Sequence, residues 1–317
     1  MGVRPACIAL LGPTCCWKSE AALRLAEELD GEIVSCDSMQ IYRHLSIGTA
    51  KVDAATRARV PHHLVDELEL SEPYDASRFV ARAESALAGI ASRGRTAILA
   101  GGTGLYARAL IYGFSLLPAE PAVFRRLEAE CAGEGGREAL LSRLEAAAQA
   151  AGTAVPDDCR QNPRRLVRAC EVLELTGQVP WLQRQRHEEP DARFAQFCLV
   201  PPLGALRDRI RERTRRMLAD GWLAEAAEAE RLGLLTSPTA RQALGYAEAI
   251  AFVHQVPPKS VEALAETIAN RTIQYARRQL TWFRHQHPGA VLLDPSTHPE
   301  DPSGWICRQV LQACPFR

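Results

Sequence analysis

Long apolar stretches are missing from this chain of 317 residues. The longest, such as CIALLG (7–12) and AILAGG (97–102), fall far short of the roughly 20 residues that a membrane-spanning helix needs. No basic stretch followed by an apolar segment resembles a signal peptide. The expectation is a soluble globular protein of the cytoplasm with no membrane partner. Net charge is missing too, since 38 Lys and Arg face 38 Asp and Glu. Cysteine is plentiful, but no Cys-x-x-Cys pair occurs among the ten, which argues against a zinc or disulfide framework. Scattered thiols in a chain of this size are expected to be reduced and mostly buried, with a redox role for the adjacent Cys15 and Cys16 as the alternative. His285 and His287 are expected to be surface histidines, because no cysteine or carboxylate cluster supports a metal site around them. Lysine is the scarcest basic residue: only Lys18, Lys51 and Lys259 occur, and basic positions otherwise default to arginine.

One of those three lysines sits in GPTCCWKS, Gly12 to Ser19. A phosphate loop has the pattern Gly, four residues, Gly-Lys-Ser or Gly-Lys-Thr. Gly12, Lys18 and Ser19 fit it, with Pro13, Thr14, Cys15 and Cys16 between, but Trp17 stands where the second glycine belongs. A compact ammonium is what such a loop needs. The context fits as well. ACIALL (6–11) is a short apolar run of the kind a buried parallel strand makes, and KSEAALRLAEEL (18–29) has helical spacing, with Ala22, Leu23, Leu25, Ala26 and Leu29 on one side. EIVSCDS (32–38) follows as a second strand, so the chain opens with a β-α-β unit. The Trp17 indole must either swing out over the loop or fill the phosphate site. Because the cradle is made of backbone N–H groups, the expected cost is about a tenfold loss of affinity, or about 1.4 kcal/mol.

Further strands are expected at HHLVD (62–66), TAILAGG (96–102), FCLVP (197–201) and AVLLD (290–294), with helices near 75–92 and 203–232. This alternation predicts an α/β fold, a P-loop NTPase-like parallel sheet flanked by helices. Residues 116–196 show helices and no strand. The expected organisation is therefore a P-loop core formed by 1–115 and 197–317, with a helical insertion over 116–196 that binds nucleic acid. Three segments are basic: 160–168 has four Arg and no acid, 207–216 has six Arg and two acids, and 271–284 has four Arg and no acid. Such clusters suit a phosphate backbone, although interleaved acids leave the middle one open to being a solvated helix face. In the first, Asn162 is expected to cap a helix that has Pro163 at its first position and Gly177 beyond its last turn. Arg164, Arg165 and Arg168 would then point together from its first turns as a phosphate clamp, with a plain charged helix face as the alternative.

Two further segments look chemical. Asp37 follows an apolar strand, at the carboxyl end of the sheet where ligands of open α/β folds bind, although a turn-forming Asp is the more ordinary explanation for Asp-Ser. In AGGTGLYARAL (100–110) a strand ends in Gly101 and Gly102, Thr103 presents a hydroxyl and a helix follows; paired glycines allow close approach of a ligand.

Taken in order, GPT....KS, DSMQIYRHLSIGTAK (37–51), GGTGLYARAL.YG (101–113), NPRRLVRACEV...TG (162–177), RQALGYAE (241–248) and QYARRQLTWFR (274–284) resemble the tRNA dimethylallyltransferase family. The similarity runs over about residues 6 to 294, and without an added C-terminal zinc finger the chain looks like the bacterial form. The resemblance implies transfer of a dimethylallyl group from dimethylallyl diphosphate to N6 of the adenosine just 3′ of the anticodon of tRNA. Asp37 matches the family's base, and Lys18, Thr103 and Arg125 match positions that grip the diphosphate. Ser19 matches the residue that holds magnesium. Asp37, Ser38, Met39 and Gln40 match the segment touching the extruded base. Gln161, Asn162, Arg164 and Arg165 match a tRNA-contacting stretch, and the region from Arg277 to Arg284, with Arg278, matches another. Trp282 and Phe283 are expected in the core. The enzyme is expected to act as a monomer. Two alternatives come from other classes: a small-molecule kinase with the insertion as its lid, and a catalytically weakened tRNA-binding relative in which Trp17 blocks the loop.

Overall fold

The computed structural model describes residues 7–113, 117–183, 189–258 and 260–314. Lys259 and parts of the loop-like segments around 115–116 and 186–188 lie outside these. The chain divides into two compact units, one of residues 1–113 with 189–317 and the other of residues 114–188.

The first unit is built on a six-stranded parallel sheet. Its first part runs β1 (Cys7–Leu11), α1 (Lys18–Glu28), β2 (Gly31–Cys36), α2 (Ala54–Arg59), β3 (His62–His63), α3 (Ala76–Ser92), β4 (Thr96–Gly101) and α4 (Gly104–Tyr112). The second unit holds α5 (Pro121–Ala132), α6 (Gly136–Ala150), α7 (Asp157–Gln161), α8 (Pro163–Thr176) and α9 (Pro180–Gln183). The chain then returns to the sheet through β5 (Phe194–Leu199), α10 (Leu203–Ala219), α11 (Trp222–Arg231), α12 (Tyr246–Val253), α13 (Val261–His285), β6 (Val291–Leu293) and α14 (Pro302–Ala313).

Strand order is β3-β2-β4-β1-β5-β6. β1 and β2 are therefore not neighbours: the opening β-α-β unit crosses over β4, which pairs with both. Every residue of β1 and β2 is buried, because helices cover a parallel sheet on both faces; β1 is apolar throughout, while β2 also buries Glu32, which pairs with Arg93 and His63, and Ser35. Registration sets the site. Leu11 pairs with Gly101 and Cys36 pairs with Gly101, so the loops after β1, β2 and β4 leave the same sheet edge side by side.

Four expectations change. β5 begins at Phe194, and residues 189–196 belong with the sheet unit instead of the insertion, since Phe194 and Ala195 pair with Cys7 and Ile8. β3 stops at His63 because Leu64 and Asp66 turn left-handed, with φ of 62° and 58°, and break the ladder. The helical stretch 203–232 is interrupted at Gly221, where φ is 103°. His287 is buried, with its Nδ1 3.0 Å from Gln196 Oε1, while His285 stays exposed. Desolvation, with the charge of Arg108 second, lowers the His287 pKa to about 4. All ten cysteines are free and most are buried. Phe283 is fully buried, and Trp282 is half-buried with its indole against Gly104, where a Cβ would lie 2.2 Å from it.

The helical unit has its own core, including Leu127, Leu140, Leu144, Leu166, Val167 and Cys170. Within it α8 starts as its punctuation predicts. Asn162 Oδ1 accepts from the N–H groups of Arg164 and Arg165 at 3.0 and 3.3 Å, Pro163 opens the helix, and Gly177 closes it in the left-handed region with φ 70°.

Candidate active site

The first of the three adjacent loops is Gly12 to Trp17. Cys15 and Trp17 both have left-handed backbones, with φ of 62° and 63°, while their neighbours Thr14, Cys16 and Lys18 do not. This alternation turns successive N–H groups toward one point and makes an anion-binding nest at the N-terminus of α1. Holding a non-glycine residue in that region costs about 1–2 kcal/mol, so two positions here carry strain that glycine would avoid. The Trp17 ring lies against Arg209 of α10, 4.3 Å from the guanidinium carbon, and packs on the sheet's core cluster. The same Arg209 also bonds the Cys15 carbonyl, so the ring and that carbonyl share one neighbour on α10. Burial raises the Cys16 thiol pKa, which makes it a poor nucleophile and disfavours redox chemistry there.

Several distant side chains hold the loop. Thr14 N donates to Gln279 Oε1 at 3.0 Å, and Gln279 Nε2 donates to Gly102 O at 2.8 Å, so one amide on α13 ties the first loop to the third. Arg213 Nη2 donates to Thr14 Oγ1 at 2.6 Å and Arg209 Nε donates to Cys15 O at 3.1 Å. Lys18 Nζ rests 3.4 Å from Pro13 O, folded back along the loop. Ser19 is exposed in the first turn of α1. Lys18 and Arg213 thus bring two cations to the loop, an arrangement suited to a multiply charged phosphate group, while Arg209 is engaged with the Cys15 carbonyl and the Trp17 ring. Arg209, Arg213 and Gln279 were not among the residues singled out from the sequence. The available signal was the four-residue spacing of Arg209 and Arg213, which puts them on one side of α10.

In the second loop, Asp37 Oδ1 accepts from Met39 N at 2.8 Å and Gln40 N at 3.2 Å. This fixes the carboxylate's orientation, and among the described residues no hydrogen bond engages Oδ2. Asp37 therefore makes an Asp-Ser turn. Gln40 is committed internally, its Oε1 accepting from Ser35 Oγ at 3.0 Å and its Nε2 donating to Thr49 O at 3.1 Å. It thereby shapes the segment that follows.

The third loop presents Thr103, whose N–H donates to Cys36 O and whose Oγ1 accepts from Ser38 N, both at 3.1 Å. Its hydroxyl proton is left to donate, at the N-terminus of α4. The glycines before it serve packing rather than a ligand. A Cβ on Gly101 would lie 2.0 Å from Cys36 O, and one on Gly102 would lie 2.5 Å from Gln279 Nε2.

A basic loop nest, a fixed carboxylate and a free hydroxyl therefore meet at the carboxyl edge of β1, β2 and β4. A sequence model described as IPP transferase matches residues 40–286. The chain belongs to the IPP transferase family. It is 42% identical over 299 residues to the tRNA dimethylallyltransferase of Anaeromyxobacter dehalogenans, covering 92% of this chain and 96% of that protein. It is 42% identical over 294 residues to the one from Thermus thermophilus, covering 90% and 91%. Among solved structures, a full-length tRNA isopentenylpyrophosphate transferase of Bacillus halodurans superposes with a TM-score of 0.65 at 30% identity, over 96% of this chain and 97% of that one. A eukaryotic dimethylallyltransferase acting on tRNA shares the fold, with a TM-score of 0.75 at 23% identity over 92% and 74% of the two chains.

The remaining family-matched positions fall elsewhere. Arg125 is exposed on α5 of the helical unit. In that unit Gln161, Asn162 and Arg165, with Asp158 and Pro163, line an open concavity of about 490 Å³. The arginines of α8 do not act as one clamp. Arg165 is paired with Asp158, and Arg168 bonds Glu171 and the carbonyls of Leu117 and Pro118, a structural role. In the sheet unit Arg277, Arg278, Trp282 and His285 help to line a second concavity of about 370 Å³ on α13, where the Arg278 guanidinium sits 5.9 Å from the Tyr275 ring centroid.

The residues present fit a magnesium ion carried by a diphosphate. Such an ion keeps waters and takes most of its ligands from phosphate, so one hydroxyl at the loop, that of Ser19, suffices. Among the described residues no group of three His, Cys, Asp or Glu side chains forms a metal cage. No helix among them is long and apolar enough to cross a membrane.

Proposed function

We propose that this protein transfers a dimethylallyl group from dimethylallyl diphosphate to N6 of the adenosine just 3′ of the anticodon in tRNA, forming N6-isopentenyladenosine and releasing diphosphate. The observation that carries this reading is the adjacency of the Asp37 carboxylate and the Thr103 hydroxyl to the phosphate nest, the Asp37 and Thr103 loops being stitched together at Ser38. The exocyclic amine of adenine is a weak nucleophile. Its nitrogen attacks the allylic carbon as the carbon–oxygen bond breaks, the diphosphate leaves with the electron pair, and the N6 proton passes to Asp37 Oδ2. Lys18, Arg213 and the nest N–H groups disperse the charge that builds on the leaving oxygens, and Thr103 donates a hydrogen bond to them. Ser19 would hold a magnesium ion, which when bound would supply further charge neutralisation.

The target amine lies within a stacked loop, so the base must be extruded to reach Asp37. Ser38 and Met39 flank that point, and Gln40 keeps the loop in shape. Gln161, Arg164, Arg165 and Arg125 on the helical unit, and Arg278 on α13, supply polar and charged groups for the tRNA or the diphosphate. The protein acts as a monomer in the cytoplasm. The Trp17 ring lying against Arg209 speaks against the alternative of a catalytically weakened relative.

The test is incorporation of labelled dimethylallyl diphosphate into tRNA, followed by nucleoside mass analysis. We expect isopentenyladenosine from the wild type. In Asp37→Asn, kcat should fall about a thousandfold with tRNA affinity retained, the size expected for loss of a general base. ATP turnover without incorporation would replace this reading by a kinase.

A further inference from the structure

We propose that Trp17 and Arg209 form a brace that positions the phosphate loop, so that the residue breaking the glycine pattern favours diphosphate binding. The inference rests on the diphosphate reading of the loop. Trp17 and Arg209 are positioning residues: neither needs to touch the donor.

The geometry converges on one guanidinium. The loop has two residues in the left-handed region, Cys15 and Trp17. Arg209 engages both: its Nε donates to the Cys15 carbonyl at 3.1 Å, and its plane covers the Trp17 ring at 4.3 Å. Its Nη2 also lies 3.9 Å from Glu20 Oε1 in the first turn of α1. The strained positions and the helix they lead into are thus pinned to a single side chain on α10. Arg213, one turn further along α10, bonds Thr14, so α10 holds the outer side of the loop at two levels.

A glycine at position 17 would adopt the same backbone without strain, but it would offer Arg209 no ring. Arg209 would then keep one bond to the loop, and the loop would be free to leave the nest conformation, since glycine enters either half of the φ range with equal ease. Tryptophan exchanges that freedom for pre-organisation, which lowers the ordering cost at binding. An arginine plane stacked on an indole is also the strongest of the common cation–π pairs, and lysine cannot reproduce its flat face.

The experiment measures steady-state prenyl transfer with the full chain, varying dimethylallyl diphosphate, together with calorimetric binding of inorganic pyrophosphate, which needs no reaction. In Trp17→Gly we expect the KM for the donor and the pyrophosphate Kd to rise about tenfold, with kcat and the KM for tRNA within twofold of the wild type. Trp17→Phe, which keeps a ring, should stay within about threefold. Arg209→Lys should lose as much as Trp17→Gly, and the double variant should lose little more than either alone, because both remove one interaction. Pyrophosphate binding by Trp17→Gly equal to or tighter than the wild type overturns the brace. So does full additivity in the double variant. If pyrophosphate binding follows the expected series while no variant and no wild type prenylates tRNA, the brace stands and the proposed reaction falls.

Discussion

Two helices of this protein carry arginine clusters of similar composition and use them differently. On α8, Arg165 and Arg168 are each paired with an acid of their own unit, Asp158 and Glu171. On α10, Arg211 and Arg216 pair with acids in the same way, but Arg209 and Arg213 reach the phosphate loop. Side and exposure separate them: Arg211 is also half-buried but follows Ile210, on the other flank of the buried face, where it meets Glu266 of α13, and Arg216 is exposed. Arg209 and Arg213 immediately precede the buried Ile210 and Thr214 and lie half-buried at the border of that face. An arginine at such a border is carried against whatever the helix packs on. One on the outer face meets solvent and the nearest acid. Counting charges in a segment does not distinguish these fates.

The largest difference between the clusters should appear on removing charge. Arg213→Ala deletes a charge-assisted bond at the loop, for which about 1.5–3 kcal/mol is typical, so kcat/KM for the donor should fall by roughly 10–100-fold while tRNA affinity holds. An unchanged donor KM would break the contrast.

Next in size is a pH effect in the sheet unit. His287 is neutral in the folded state with its pKa lowered to about 4, against an ordinary 6.5 once unfolded. The unfolded chain therefore binds the proton first as pH falls below 6.5, and stability is lost progressively down to about pH 4. Urea unfolding should show about 2 kcal/mol less stability at pH 5 than at pH 7.5. His287→Gln should flatten that slope. Glu32 acts in a lower window: its pKa is lowered to about 2, chiefly by a hydrogen bond from Arg93, so its contribution is lost only as pH falls from about 4.5 toward 2.

Smaller effects belong to α8. Asn162→Ala removes a cap that satisfies two N–H groups and should cost about 1 kcal/mol, read as a lower Tm. Arg165→Ala should weaken tRNA binding only about threefold, because Asp158 already offsets the charge, and should lower the salt slope by about 1. A hundredfold loss from Arg165→Ala would show that the pair opens on tRNA and that the two clusters are more alike than their present contacts indicate.

Much of the frame is legible from the amino acids because its causes are local. A buried parallel strand such as β1 is apolar throughout, Asn162, Pro163 and Gly177 mark the ends of α8, and the rare Lys18 marks the phosphate loop. Family motifs then single out Asp37 and Thr103. The rest depends on contacts between distant segments. Gln279 lies 265 residues from the N–H it holds and Arg213 lies 199 residues from Thr14, so no window of sequence contains either pair. The burial of His287 follows from packing on Gln196 of β5, a strand whose start at Phe194 is blurred in sequence by the polar residues before it. The direction of the Trp17 ring is likewise settled by α10, not by the loop.

The tie through Gln279 has a consequence for timing. The phosphate nest is encoded early in the chain, yet the amide that joins it to Gly102 is made only 265 residues after Thr14. At synthesis rates of about 5–20 residues per second, the 265 intervening residues take roughly 13–53 s to appear. Throughout that interval the first loop lacks the side chain that ties it to the third, and the two are joined only once α13 has docked.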